Sequence, residues 1–559
     1  MPPPKASKPR KGKSERQRGK SSLTSGGDAA PVPDEAPLPD PIGSPPVHAF
    51  SRSERDDRHD GLAVNFQTLP DDVLGQILPL LDLRELLRVR EVSRESKSRI
   101  DRLGIPLYLA RHPQHHITLS CRPSQWEPLE LVKHHRHITN SLHARRWHAL
   151  QVGQTWVQAA IPTLNLTSEA LILGVGGTLV IHPLSPNGAG RSVGRAKEYP
   201  VAPKFSGSRA DIVGVHVLPD SQLAVAQYDG VVQRFMVPDQ PNWNGGLYST
   251  AHFPHPKGSN IHTMTGCGDA LLTTTSSGLV SLWNARSPWQ APATLTLPPT
   301  TRAWSTLLTP SFAYLGLHDR IAIHAVNPSS ISSTPFRSLA GPDLPSASSA
   351  YSLRLPPPTS IHNPSILLSA WYDSHLRMHD LRSPSPSAVQ TFSDPWTWAD
   401  GSAMYSTAFL AEYHIAGGGA RHGTVSLFDT RFPKSGWSCF SPGGKGSPVY
   451  AMEGEGGRLW GVTEKRAFVL AFDGSAAPTA EGGAGGGLVE YTARARRTRV
   501  VEKPNGRNKK GRDWGWSVKP REVDRGRYGD GEEEQGESAV GYDHNEGGGV
   551  KLFDSIAVP

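Results

Sequence analysis

Apolar positions between residues 66 and 104 recur with the period of a helix. In the stretch from Phe66 to Leu81, the residues Val73, Leu74, Ile77, Leu78 and Leu81 share one helical face. Pro70 suits a first turn, Asp71 and Asp72 favour the positive end of the helix dipole, and Pro79 ends or kinks the helix. A second helix opens at Asp82, with Glu85 placed to complete a reciprocal capping box. Leu83, Leu86, Leu87, Val89 and Val92 form its apolar side, and Arg84, Arg88, Arg90 and Arg94 its wet side.

From about residue 150 the period changes to that of strands. A turn followed by an alternating strand recurs at Gly177–His182, Asp229–Phe235, Ser277–Asn284, His318–His324, Asp373–Asp380, His422–Asp429 and Glu464–Leu470. Each is preceded by another apolar run, such as Leu223–Ala226 or Ile366–Ala370. The unit is a β-hairpin repeated at intervals of roughly forty to fifty-five residues, the period expected of a β-propeller. A β-sandwich or a pair of smaller β-domains is the structural alternative. Between the two regions, residues 105–149 read as a helical His/Arg-rich linker with a helix from Glu130 to Ala144.

Composition limits how much of the 559 residues can pack, since 56 are Gly, 50 are Pro and 37% are hydrophobic. Residues 1–65 and 479–547 hold few apolar side chains and are expected to be disordered tails. The stretch 548–559, whose Gly548–Asp554 copies the strand ending at Gly423–Asp429, is expected to return to an exposed edge of the terminal blade. Three scattered cysteines, Cys121, Cys267 and Cys439, exclude a disulfide framework and a C-x-x-C zinc or redox site. The net charge of +8 is concentrated in Lys5–Lys20 and Arg494–Arg512, blocks that suit nuclear import or weak contact with nucleic acid, or else a solvated tail. No signal peptide or membrane span is read, so a nuclear or cytoplasmic location is expected, with no membrane partner and no nucleic acid as principal partner.

The helical stretch resembles an F-box. The resemblance rests on Leu69-Pro70-Asp71-Asp72-Val73-Leu74, Ile77-Leu78, Leu81-Asp82-Leu83, Leu87, Val89 and Val92-Ser93-Arg94, over residues 66–104. It implies docking onto the Skp-type adaptor of a cullin–RING ligase through Leu69, Pro70, Val73, Leu74, Ile77 and Leu78. Where such domains commonly carry an aromatic residue, this chain has Ser96. An ordinary helical hairpin packed on the next domain is the alternative. The strand endings Leu282-Trp283-Asn284, Met378-His379-Asp380 and Leu427-Phe428-Asp429 resemble those of divergent WD repeats over residues 150–478, with no full His–Ser–Asp–Trp set assignable to a blade.

The fold class expected is therefore α+β and multi-domain, a small helical unit followed by an all-β propeller of about seven blades. No P-loop or G-x-S-x-G elbow occurs, and the histidines of 105–150 lack carboxylates or cysteines at ligand spacing, so no enzyme, cofactor or metal is expected. The turns at Asp229, Ser277, Asp319, Asp373, His422 and Lys465 gather on one face, the candidate platform for an unidentified protein substrate. Tyr228, Trp371, Tyr372 and Arg421 are its candidate binding residues, with Trp371 and Tyr372 equally placed to pack between blades. Arg421, Arg320 and Arg354 are too few for the Arg cluster of a phosphopeptide reader. Asp380–Arg382 and Asp429–Arg431 resemble the Asp-x-Arg endings of receptors of another cullin branch. The reading is a substrate-recognition subunit of an SCF-type ubiquitin ligase; the alternatives are a WD-repeat scaffold without ubiquitin transfer and a receptor of that other branch.

Overall fold

A computed structural model describes residues 66–474, except 67, 115–125, 158, 188–189, 202–209, 238–246, 341–347, 359, 396, 398–400 and 443–446, together with 491–493, 498–501, 539–544 and 550–554. The expected tails at 1–65 and most of 479–547 lie outside these residues.

Five helices precede the sheets: α1 (Asp71–Ile77), α2 (Leu83–Val92), α3 (Arg94–Arg99), α4 (Ile105–Arg111) and α5 (Pro128–His143). A 3₁₀ turn, Leu78–Leu80, ends α1 around Pro79, whose ring cannot continue an α-helix. Asp82 and Glu85 close the capping box, each side chain bonded at 2.8 Å to the other's backbone N–H. Ser96 is buried, and its N–H donates to the Ser93 hydroxyl at 3.0 Å, so the serine pair starts α3 where an aromatic residue was expected by resemblance. A π turn, Ile100–Gly104, carries the chain from α3 into α4. Leu74, Leu78, Leu86, Ile100 and Ile105 form the core of this helical unit, and Val132 of α5 completes it.

The remainder is a ring of seven antiparallel blades. Their first strands are Thr163–Leu166, Ile212–Val217, Ile261–Cys267, Ser305–Leu308, Ala350–Arg354, Met404–Leu410 and Val449–Glu455. These seven touch one another in closed sequence around the centre, the last against the first. Six blades add three further strands outward in chain order. The seventh takes its outer strand from the other end of the sequence: Trp147–Val152 pairs antiparallel with Ala467–Ala471. That closure covers the outer edge of Ala467–Ala471.

Blades stack face to face, so their middle strands are buried on both sides and read as apolar or small residues rather than as a strict alternation. Phe392 and Phe428 meet across blades five and six with centroids 5.5 Å apart. Blade three keeps three of the four members of the WD hydrogen-bonded set. The Trp283 indole N–H donates to Thr273 Oγ1 at 3.3 Å, and His255 Nε2 lies 2.9 Å from the same hydroxyl. Its turn carries Ser277, with Gly278 at φ +86°, where the fourth member would be an Asp.

The returning strand goes elsewhere than expected. Val550–Asp554 does not reach the terminal blade; it pairs with Ala539–Asp543, which itself adds to Gly436–Phe440 at the outer edge of blade six. The terminal blade's edge is already occupied, by Trp147–Val152 and then Tyr491–Ala493.

The 105–149 linker holds both domains. Ile138 and Leu142 of α5 lie in one core with Trp147, Trp437, Leu470 and Phe472, while Val132 of the same helix belongs to the helical core. Gly457 leaves room for this contact, because a Cβ there would sit 2.6 Å from Ile138 Cγ1. His112 Nδ1 lies 2.6 Å from Glu412 Oε1, a second tie between α4 and blade six. Burial lowers the His135 imidazole to about 3 and that of His414, where α5 meets blade six, to about 4. No helix among the described residues is long and apolar enough to cross a membrane, and none of their His, Cys, Asp and Glu groups could hold a metal ion.

Trp147 sits 5.1 Å from Trp437 and is buried in the closure. Trp147→Ala is expected to cost about 3–5 kcal/mol in denaturant unfolding. Arg286→Ala, which breaks a surface pair with Asp269, should change stability by less than about 1 kcal/mol. The buried histidines set a pH dependence. With folded values below the ordinary 6.5, the unfolded chain binds more protons in acid, so stability is complete above about pH 7. It falls as pH drops from 6.5 towards 4. For His414 the loss is on the order of 3 kcal/mol at full protonation. Melting temperatures of wild type and His414→Leu across this range should converge in acid, with the flatter curve belonging to the variant.

Candidate functional site

Each first strand starts at one face of the ring and ends at the other, on the order of 20 Å away. The far face carries Glu412 and Gly457, the turns against which the helical unit packs. The near face carries the turns at Gly176, Asp229, Ser277, Asp319, Asp373, His422 and Lys465, together with the first-strand starts.

At those starts the backbone repeats one irregularity. The pairing of first with second strand shifts register between Ile261 and Thr263, Ala350 and Ser352, Met404 and Ser406, and Val449 and Ala451. The residue left out of register in each case is a ring: His262, Tyr351, Tyr405 and Tyr450. A bulge bends its strand and re-aims the extra side chain. In blade four, Trp304 precedes the strand and its N–H donates to Gly316 at 2.8 Å, beside Ser305, which pairs with the same residue. Blade two has the bulge with Val213 in it.

The rings join into a collar. Centroid distances are 5.6 Å for His262–Trp304, 5.2 Å for Trp304–Tyr351, 5.0 Å for Tyr351–Tyr405 and 5.8 Å for Tyr405–Tyr450. Tyr372 joins from the side, 6.1 Å from Tyr351. The Arg302 guanidinium lies 3.7 Å from the Trp304 ring centroid, a cation–π contact. Burial pushes the Tyr351 phenol up to about 12, with Tyr405 and Tyr372 adding to the effect, and burial then Arg302 lower the His262 imidazole. Arg302 lies at one end of the collar and Glu464 near Tyr450 at the other.

Of the four platform candidates, Tyr372 is 56% exposed and belongs to the collar. Trp371 does not: it is 0% exposed, its indole N–H donates to Ser369 Oγ at 2.8 Å, and it packs with Tyr314 and Leu353 between blades. Behind it the Arg377 guanidinium pairs with Asp373 at 2.6 Å; against the cost of burial, hydrogen bonds from His375 and Arg377 hold the Asp373 carboxyl well below its ordinary range. Tyr228 is half-buried at the turn of blade two, its N–H donating to the Asp211 carbonyl at 2.8 Å. Arg421 is exposed on the near face, and its backbone N–H donates to Ser402 Oγ at 3.1 Å. Arg320 lies 3.4 Å from its own neighbour Asp319. Arg354 is on the far side: it pairs with Glu453 at 2.7 Å and lines a cleft of about 250 Å³ with Pro356, Pro358 and Phe409. Both Asp-x-Arg endings are closed on themselves, Arg382 chelating Asp380 at 2.8–3.0 Å and Arg431 chelating Asp429 at 2.6–3.0 Å.

On the helical unit the six candidate contacts divide. Pro70 is exposed, Leu69 and Val73 are half-buried and Ile77 is 38% exposed. Leu74 and Leu78, at 0% and 1%, are core residues, because the stripe that faces α2, α4 and α5 runs through them. The large apolar side chains this surface does offer are Leu80, 79% exposed in the Pro79 turn, with Ile77 beside it in sequence, and Val92 at the end of α2. The helical period points away from Leu80, which lies just past the last regular turn.

One cluster has the residue types of a nucleophilic triad. Ser438 Oγ donates to Asp394 Oδ2 at 2.7 Å and lies 2.8 Å from His544 Nε2, with Ser426 completing the set. All four are buried, the carboxylate bonds the serines directly, and His544 follows the added strand Ala539–Asp543. The cluster ties that strand to blade six and offers no access to a substrate.

No curated protein matches the chain. Among solved structures, the crystal structure of Chaetomium thermophilum Raptor is similar at 14% identity with a TM-score of 0.44, over 61% of this chain and 30% of that one. The F-box domain family matches residues 66–108, which include most of α4 and so run past the boundary at 104 drawn from sequence. The chain carries an F-box domain followed by a seven-bladed β-propeller.

Proposed function

We propose that this chain is the substrate-recognition subunit of an SCF-type ubiquitin ligase. Its F-box would engage a Skp-type adaptor and its propeller would hold the protein to be modified. The observation that carries the reading is the mounting of the F-box. The same helix, α5, is part of the F-box core and of the propeller core, so a partner on one domain is held at a defined position from a partner on the other. Proximity of that kind raises the rate of a transfer performed by other subunits, and no side chain here is asked to make or break a bond. The adaptor would sit on the exposed apolar surface around Pro70, Ile77 and Leu80. The substrate would sit on the opposite, aromatic face. The self-chelated Asp380–Arg382 and Asp429–Arg431 pairs lend no support to a receptor of the other cullin branch.

A pull-down of a purified Skp-type adaptor by the full chain tests this. Wild type should bind, and Leu80→Asp should weaken binding by about tenfold or more with an unchanged melting curve. Leu78→Asp should abolish binding by unfolding the helical unit, seen as lost helical signal. No adaptor binding by a correctly folded wild type would contradict the proposal.

A further inference from the structure

We propose that the aromatic collar at the near face is a docking groove for an extended, proline-containing segment of the substrate protein. This deepens the receptor reading above and rests on it. The placement of the rings comes first. His262, Tyr351, Tyr405 and Tyr450 each occupy the bulge of a different blade, with Trp304 at the matching position of a fifth. Packing alone does not require a ring there, because Val213 fills the same bulge in blade two.

The hydrogen-bonding character of the collar selects the ligand. The indole N–H of Trp304 and the Arg302 guanidinium can only donate, and Tyr351, Tyr372, Tyr405 and Tyr450 each add a phenolic O–H that can donate as well as accept. Among the described residues no hydrogen bond is made by any of these four hydroxyls or by that indole, and His262 Nδ1 is buried without a partner. Such a surface fits a chain with many carbonyls and few N–H groups. A proline-containing polyproline II segment is that chain: each proline lacks an N–H and the carbonyls point outward.

Shape and charge agree with this. Tyr351 meets Trp304 at 62° and Tyr405 at 55°, so neighbouring rings are tilted against one another rather than stacked flat. Tilted aromatic walls of this kind are how proline segments are gripped elsewhere. A cationic ligand is disfavoured at the Trp304 end, because that ring face already carries a guanidinium.

Fluorescence anisotropy with the full chain and a labelled oligoproline tests the proposal, with a Gly-Ser peptide and an oligoarginine of equal length as comparators. Oligoproline should bind best. Tyr351→Ala and Tyr405→Ala should weaken it by about tenfold or more, and Trp289→Ala, an exposed ring outside the collar, should leave it unchanged. Should an alanine variant fail to melt cooperatively, Tyr405→Phe decides, since it keeps the ring and removes one donor: weaker binding supports the proposal and unchanged binding overturns it. Oligoproline binding no tighter than the Gly-Ser peptide, or a preference for oligoarginine, also overturns it. Adaptor binding measured on the same samples separates the two readings, because a collar that fails while the F-box still binds removes the ligand assignment alone.

Discussion

The segment from Pro128 to Val152 carries the architecture. Its first half is a helix whose Val132 fills the F-box core and whose Ile138 and Leu142 fill the propeller core. Its second half is the strand that closes the ring against Ala467–Ala471. A small helical unit buries too little surface to be robust alone, and an open propeller has exposed edges. One stretch of chain meets both needs, so domain coupling and ring closure stand or fall together. The depressed imidazoles of His135 and His414 follow from the same burial.

That coupling sets the F-box and the aromatic collar on opposite faces of the propeller. The F-box packs on the face bearing the Glu412 and Gly457 turns, and the collar opens on the other. The rings lie where they do because of a backbone irregularity repeated from blade to blade, each bulge taking one side chain out of the pleat. Each ladder irregularity thereby contributes one ring to a row in which neighbours meet. The outer edge of blade six shows another use of side chains, with Asp394, Ser426, Ser438 and His544 joined by hydrogen bonds in a buried clasp.

The fold was legible because its signals are local. The capping box at Asp82 and Glu85, the proline that ends α1, and the turn glycines at 230 and 278 each specify geometry within a few residues. The site was less so. Leu74 and Leu78 share a helical face with Val73 and Ile77, and periodicity says which residues are apolar together without saying which are covered by α2 and α5. Trp371 and Tyr372 are adjacent and similar, yet Trp371 ends its strand inside the blade interface and Tyr372 opens the turn that follows, exposed to solvent. The collar left a trace that aligning the hairpins hides. Ala303-Trp304-Ser305, Ala350-Tyr351-Ser352, Met404-Tyr405-Ser406 and Val449-Tyr450-Ala451 place a ring between smaller or aliphatic residues at the start of the first strand, one strand before the run used to find the repeat.

One helix shared by the F-box core and the propeller core holds the F-box and the aromatic face as one rigid body. Pulsed electron-spin distance measurement between labels at position 80 on the F-box and position 372 beside the collar tests it directly, because both sites are exposed and lie on opposite sides of the α5 bridge. The account predicts a single narrow distance distribution that broadens when Ile138→Asp removes the shared packing. A broad distribution in the otherwise unaltered chain, or one indifferent to Ile138→Asp, would contradict it.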